Sequence, residues 1–113
     1  MESADEELRK ALGIVLRQAR LRKNLSILEL AQQVSGRTYL SALERGQKMP
    51  TIGKVDEISR ELGLHPLTLL TLTYLHFEGN TPEELMTRIK TDLDAFGVLG
   101  AGDRGNFDPV DEN

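Results

Sequence analysis

The 113-residue chain contains no cysteine and no tryptophan. Without thiols it can form neither disulfides nor thiolate metal sites. Aromatic residues make up only 4% of it, so the core has to be filled by leucine, isoleucine and valine from the 39% of residues that are apolar. No apolar run is long enough to span a bilayer. The first seven residues, MESADEE, are acidic, whereas signal and transit peptides carry a basic region. These absences lead to the expectation of a soluble, cytoplasmic protein, and the length suits one small domain. Histidine is equally scarce. His65 and His76 stand eleven residues apart, with no cysteine or paired acid at ligand spacing. No nucleophile–base pair and no phosphate-binding loop accompanies them. Neither a metal site, a cofactor nor an enzymatic activity is therefore expected.

What is present is an uneven distribution of charge. The overall balance is −4. Residues 1–7 carry four acids and no base, and residues 81–113 sum to −5. Between them, residues 8–48 carry Arg9, Lys10, Arg17, Arg20, Arg22, Lys23, Arg37, Arg45 and Lys48 against only Glu29 and Glu44, a block of +7. A basic block between acidic ends suggests a polyanion-binding face.

The apolar pattern has the helical period throughout. Leu8, Leu12, Val15 and Ala19 form the stripe of a first helix from about Asp5 to Lys23. Asn24 can end it, since asparagine tolerates the left-handed conformation needed there. Ser26-Ile27-Leu28-Glu29 reads as a capping box, with Leu25 and Leu30 as the apolar staple. It opens a second helix to about Val34. Ser35-Gly36 breaks the pattern, and a third helix of about three turns follows before Gly46. In that helix Leu40 and Leu43 share a face, while Arg37, Thr38, Ser41 and Arg45 point elsewhere. A fourth helix is expected from Thr51, with Ile52, Val55, Ile58 and Leu62 as its stripe. A fifth starts at Pro66, a favoured first helical position. A second capping box, Thr81-Pro82-Glu83-Glu84, opens a sixth with Leu85, Ile89, Leu93 and Phe96 on one stripe. Beyond Gly97 glycines and acids dominate, and the segment reads as a disordered tail.

Two short helices joined by a tight glycine-containing turn form a helix-turn-helix pattern. The second helix of such a pair enters the DNA major groove. Three segments, "LGIVLRQARLRKNLSILELAQQV", "RTYLSALERGQKMPTI" and "VDEISRELGLHPLTLL", resemble the Cro and lambda-repressor-like helix-turn-helix (XRE-type) regulators. The resemblance covers roughly residues 8–70. It implies an all-α fold: a five-helix DNA-binding domain over residues 5–78, a sixth C-terminal helix over 79–97 and a disordered acidic tail over 98–113.

The resemblance also assigns roles. Arg20 and Glu44 match a pair that forms a buried salt bridge in the family. Ala31 matches the small residue that lets the two motif helices approach. Ser26 lies where the second helix's first amides face a phosphate. Arg37 and Thr38 match positions that meet base edges, with Ser41 beside them; arginine suits guanine O6 and N7. Tyr39 either donates to a phosphate or covers the helix junction. Lys48 and Arg45 are expected at the DNA backbone. Where relatives often carry a longer polar residue facing bases, this chain has Ala42.

The implied function is that of a transcriptional regulator, a repressor that occupies double-stranded DNA near the nucleoid. One recognition helix reads too few base pairs for a genome, so a homodimer on a palindromic operator is expected. The surplus apolar residues Leu69, Leu72, Tyr74, Leu75, Phe77, Leu85, Ile89, Leu93 and Phe96 are candidates for its interface. The alternative reading is an antitoxin, whose C-terminal region wraps a basic protein partner.

Overall fold

The structure, a computed structural model, describes residues 3–34, 36–98, 100 and 102. They form six α-helices: α1 (Ala4–Arg22), α2 (Ile27–Gln33), α3 (Arg37–Glu44), α4 (Ile52–Glu61), α5 (Pro66–Glu78) and α6 (Pro82–Ala95). No strand occurs among the described residues.

Side chains decide where five of these helices begin. The Ser3 hydroxyl accepts from the Glu6 amide at 3.2 Å, Ser26 from Glu29 at 3.0 Å, Thr51 from Lys54 at 3.1 Å and Thr81 from Glu84 at 3.2 Å. His65 Nδ1 accepts from the Leu67 amide at 3.0 Å. Each bond satisfies an amide that has no partner inside its own helix. The exception is α3, which begins at Gly36 without a side-chain cap. At the other ends, Asn24 takes φ 58° just after α1, and Gly46 takes φ 73° after α3. Both are left-handed conformations, which asparagine and glycine adopt at low cost.

The chain divides into two compact units, residues 1–79 and residues 80–113. In the first, α1 is the spine and packs against both α3 and α5, while α2 lies on α3 and α4 on α5. One apolar cluster joins Leu16, Leu30, Leu40, Leu43, Ile58 and Leu62, and a second joins Leu12, Val15, Val55 and Leu69. The motif helices depend on the first cluster. At seven and eight residues they are too short to persist alone. Leu30, Leu40 and Leu43 are completely buried, each stabilising the fold by about 1.5–3 kcal/mol. The third helix, eight residues long, has just over two turns rather than the three expected.

Two sequence expectations about packing are corrected. Ile52, placed on the core stripe of α4, is 86% exposed. It is the first residue of α4, so it continues the stripe in sequence but projects past the neighbours that bury Val55 and Ile58. Leu69, read as a dimer-interface candidate, is 1% exposed and packs with Leu12, Val15 and Val55; the domain's own core consumes it.

The second unit contains α6, opened by the expected capping box, in which the Glu84 carboxylate also accepts from the Thr81 amide at 3.1 Å. Arg88 and Asp92 pair one turn apart at 3.3 Å. Leu85 is 8% exposed, whereas Ile89, Leu93 and Phe96 are exposed. Apart from Val98, Gly100 and Gly102, the tail expected over 98–113 lies outside the described residues.

Candidate nucleic-acid interface

The motif is locked by one buried ion pair. Arg20, in the last turn of α1, reaches Glu44, the last residue of α3. Its Nε donates to Glu44 Oε2 at 2.6 Å and its Nη2 to Oε1 at 2.9 Å. Its Nη1 donates to the Leu25 carbonyl at 2.7 Å, in the connection that leads into α2. Both side chains are 9% exposed. The hydrogen bonds it donates to the Glu44 carboxylate raise the pKa of the Arg20 guanidinium above its ordinary value, against the opposing effect of burial. One side chain thus ties α1, the α1–α2 connection and α3 together. A two-pronged geometry with the third donor arm also used is what makes burying such charges tolerable.

With α3 fixed by Leu40, Leu43 and Glu44, its other side is presented outward. Arg37 and Thr38 are exposed and Ser41 is half-buried. None of the three side chains makes a hydrogen bond or ion pair among those described. Tyr39 is half-buried against the main apolar cluster, and the Lys48 ammonium stands 5.6 Å from the centre of its ring. This cation–π contact holds the loop after α3 against Tyr39 of that helix. Arg45, the C-cap residue of α3, donates through Nη2 to Gln47 Oε1 at 3.3 Å. Ala42 does not face outward. It is 6% exposed and belongs to the buried side of α3, so a longer polar residue there would enter the core rather than reach a base.

At the start of α2, Ser26 and Glu29 form the complete capping box. The Ser26 amide donates to the Glu29 carboxylate at 2.9 Å while its hydroxyl accepts in return. These bonds, first that from the Ser26 amide, hold the Glu29 carboxyl below the usual glutamate range. Ala31 is half-buried on the main cluster, where its small size allows α2 to lie on α3.

Gly13 is a structural determinant that the sequence reading passed over. A Cβ built on it would stand 2.5 Å from the Glu44 carbonyl oxygen and 2.7 Å from that of Leu43. The backbone of α1 therefore lies directly against the last turn of α3. A glycine inside an otherwise regular helical stripe is the available signal for such an approach. Arg9 adds a second tie on this side, with Nε donating to the Gly46 carbonyl at 3.4 Å. No group of histidine, aspartate or glutamate among the described residues could hold a metal ion, and no described helix is long and apolar enough to cross a membrane.

Known proteins share this arrangement. Residues 16–69 match the family described as Helix-turn-helix. The chain is 38% identical over 68 residues to the control protein C.BamHI of Bacillus amyloliquefaciens, spanning 58% of this chain and 84% of that one. Two crystal structures of the clp gene regulator ClgR from Corynebacterium glutamicum are also similar. One has a TM-score of 0.61 at 30% identity, covering 73% of this chain and 88% of the other; the second has 0.59 at 32%, covering 62% and 91%. Similar to these relatives over most of their length, the chain belongs to the Cro and lambda-repressor-like (XRE-type) helix-turn-helix family of DNA-binding transcriptional regulators.

Proposed function

We propose that the chain represses transcription by occupying a roughly palindromic operator as a homodimer, with α3 in the major groove of each half-site. The observation that carries this reading is the division of α3 into two sides. Leu40, Leu43 and Glu44 are committed to the fold, and Arg37, Thr38 and Ser41 are committed to nothing within it. Arg37 would read a guanine through its two-pronged guanidinium, and Thr38 and Ser41 would meet neighbouring base edges. Ser26, Arg45, Lys48 and Tyr39 would fix the register on the phosphates. α3 also starts without a side-chain cap, so its first amides are available to an external acceptor.

Two-fold pairing is supported by the apolar side chains left in the open. Tyr74 and Phe77 of α5 are exposed and meet edge to face with ring centres 6.1 Å apart. Exposed Met49 and Ile52 flank Tyr74 around a cavity of about 140 Å³. Ile89, Leu93 and Phe96 form a further open stripe on α6. Half-sites would then repeat about one DNA turn apart, ~34 Å.

The test begins with selection of bound duplexes from a random pool, followed by affinity measurements on the selected and a scrambled duplex. Arg37→Ala is expected to cost ~1–3 kcal/mol on the selected site and relax one base position. Lys48→Ala is expected to weaken both duplexes alike and make the salt dependence shallower by about one charge. Equal losses on both duplexes for Arg37→Ala would demote it to a phosphate contact. Light scattering should give the mass of a dimer, and transcription in vitro from a promoter carrying the selected site should fall. A monomer bound tightly to one half-site, or a rise in transcript, would overturn the dimer and repressor readings respectively.

A further inference from the structure

The first unit contains a half-open cavity of about 680 Å³ that has no part in the motif. Val15 and Ala19 of α1, Leu62 and Leu64 after α4, and Leu72 and Leu75 of α5 make its walls, and Gln18, Arg22, Lys23 and His76 complete the lining. It lies on the opposite side of α1 from the DNA-reading helix. Arg22 follows Arg20 by two residues, which is about 200° around a helix. Arg20 and Gly13 face α3, so Val15, Ala19 and Arg22 face away from it. The two cations at this end of α1 are thus separated from the surface formed by Arg37, Thr38 and Lys48.

We propose that this cavity is a binding site for an aliphatic carboxylate, with the alkyl chain against Val15, Leu62, Leu72 and Leu75 and the acid group at Arg22 and Lys23. The size falls within the range of small-molecule sites, roughly 300–1,000 Å³. Apart from the His76 imidazole the lining contains no aromatic ring, and it contains no acidic residue to attract a cation. Arg22 and Lys23 have no carboxylate partner in any described ion pair, in contrast to Arg9, Arg20, Lys54, Arg60 and Arg88. Their stems can lie along the apolar wall while their heads remain at the rim. The Lys23 ammonium stands 3.0 Å from where a Cβ of Gly63 would be, which places the charge against the turn after α4. Apolar walls with unopposed positive charge at one edge complement an amphipathic anion.

This inference is independent of the DNA reading and is tested without DNA. Sodium decanoate, 1-decanol and decylammonium chloride, each below its aggregation threshold, are titrated into the full-length 15N-labelled protein. Decanoate is expected to shift the amides of Val15, Ala19, Leu62, Leu64, Leu72 and Leu75 saturably, with at least tenfold higher affinity than decylammonium. The double variant Arg22→Gln/Lys23→Gln is expected to lose that preference while its response to decanol is unchanged. Both side chains are exposed, and amide dispersion in the same spectra verifies that the variant is folded. Equal affinity for all three probes, shifts confined to other residues, or a preference that survives the double variant would overturn the proposal. Dilution-dependent shifts at these amides with no response to decanoate would assign the cavity to a second copy of the chain, and would overturn it equally.

Discussion

Replacing Gly13 by alanine sets two effects of known sign against each other. In an open helix interior the change stabilises by about 1 kcal/mol, because glycine loses more backbone freedom on folding. Here the new methyl would lie 2.5 Å from the Glu44 carbonyl oxygen, whereas ordinary contact begins near 3.4 Å. The atoms on the far side are backbone, so no rotamer change relieves the clash. α1 and the end of α3 would have to separate by about 0.9 Å, the difference between those distances. Overpacking of this kind costs typically 1–3 kcal/mol. Two carbonyls are hit at once, and the shift also pulls Glu44 from the 2.6 Å contact with Arg20, which argues for the upper end. The net expectation is a loss of ~2 kcal/mol, or about 8–16 °C in Tm for a domain of this size. Gly53 provides the control. A Cβ there meets nothing nearer than the Thr51 hydroxyl at 3.9 Å, so Gly53→Ala should gain ~0.5 kcal/mol. Urea denaturation followed by circular dichroism measures both. A Gly13→Ala protein as stable as the parent would refute the close approach of α1 to α3.

Other perturbations follow from single contacts. Glu44→Gln leaves Arg20 buried with only the Leu25 carbonyl as a strong partner, and is expected to cost ~3 kcal/mol in the same urea assay; a loss under 1 kcal/mol would mean that Arg20 finds water instead. Ser59→Ala should raise stability by ~1 kcal/mol, since the Ser59 hydroxyl is buried without a hydrogen-bond partner in the structure; a decrease would reveal a partner such as an ordered water. Ser26→Ala should lower stability by ~1 kcal/mol through loss of the α2 cap, checked by Tm. The Glu29 carboxyl is lowered by the same box, so its contribution is fully present above the usual glutamate range and is lost as pH falls through its folded value. Stability measured across that acid range should therefore depend on pH less steeply in Glu29→Gln, and an unchanged slope would exclude the box as its source.

The features that the sequence made legible are those decided within a few residues. Ser26 with Glu29, Thr81 with Glu84, and Asn24 announce helix ends because their hydrogen bonds and dihedrals are local. Periodicity also identified the buried row of α3. It does not show where a neighbouring helix stops, so Ile52 shares the period of a core it projects beyond, and Leu69, apolar like its exposed neighbours, belongs to the core. The resemblance marks Ala42 as a departure from relatives that carry a longer polar residue, and the burial of its side chain is what the structure adds. Gly13 carried a local signal, an unexpected glycine in a helix, without any indication of which element it admits. The Arg20–Glu44 pair joins residues 24 apart, and only the resemblance brought the two together. The large cavity beside α5 depends on three separated segments and left no trace in the linear pattern.

With α3 reading DNA as proposed, its two-sided construction separates what the protein would recognise from whether it folds. The side chains of Arg37, Thr38 and Ser41 make no described hydrogen bond or ion pair, so exchanging them should leave the unfolding free energy within about 0.5 kcal/mol of the parent while, on the function proposed above, changing the DNA sequence that is bound. Leu40, Leu43, Glu44 and Gly13 have the opposite character, because any change there is felt first as loss of the fold. On the proposed function, a lineage or an engineer could rewrite the target sequence through three positions on a helix of eight residues without renegotiating the core beneath them.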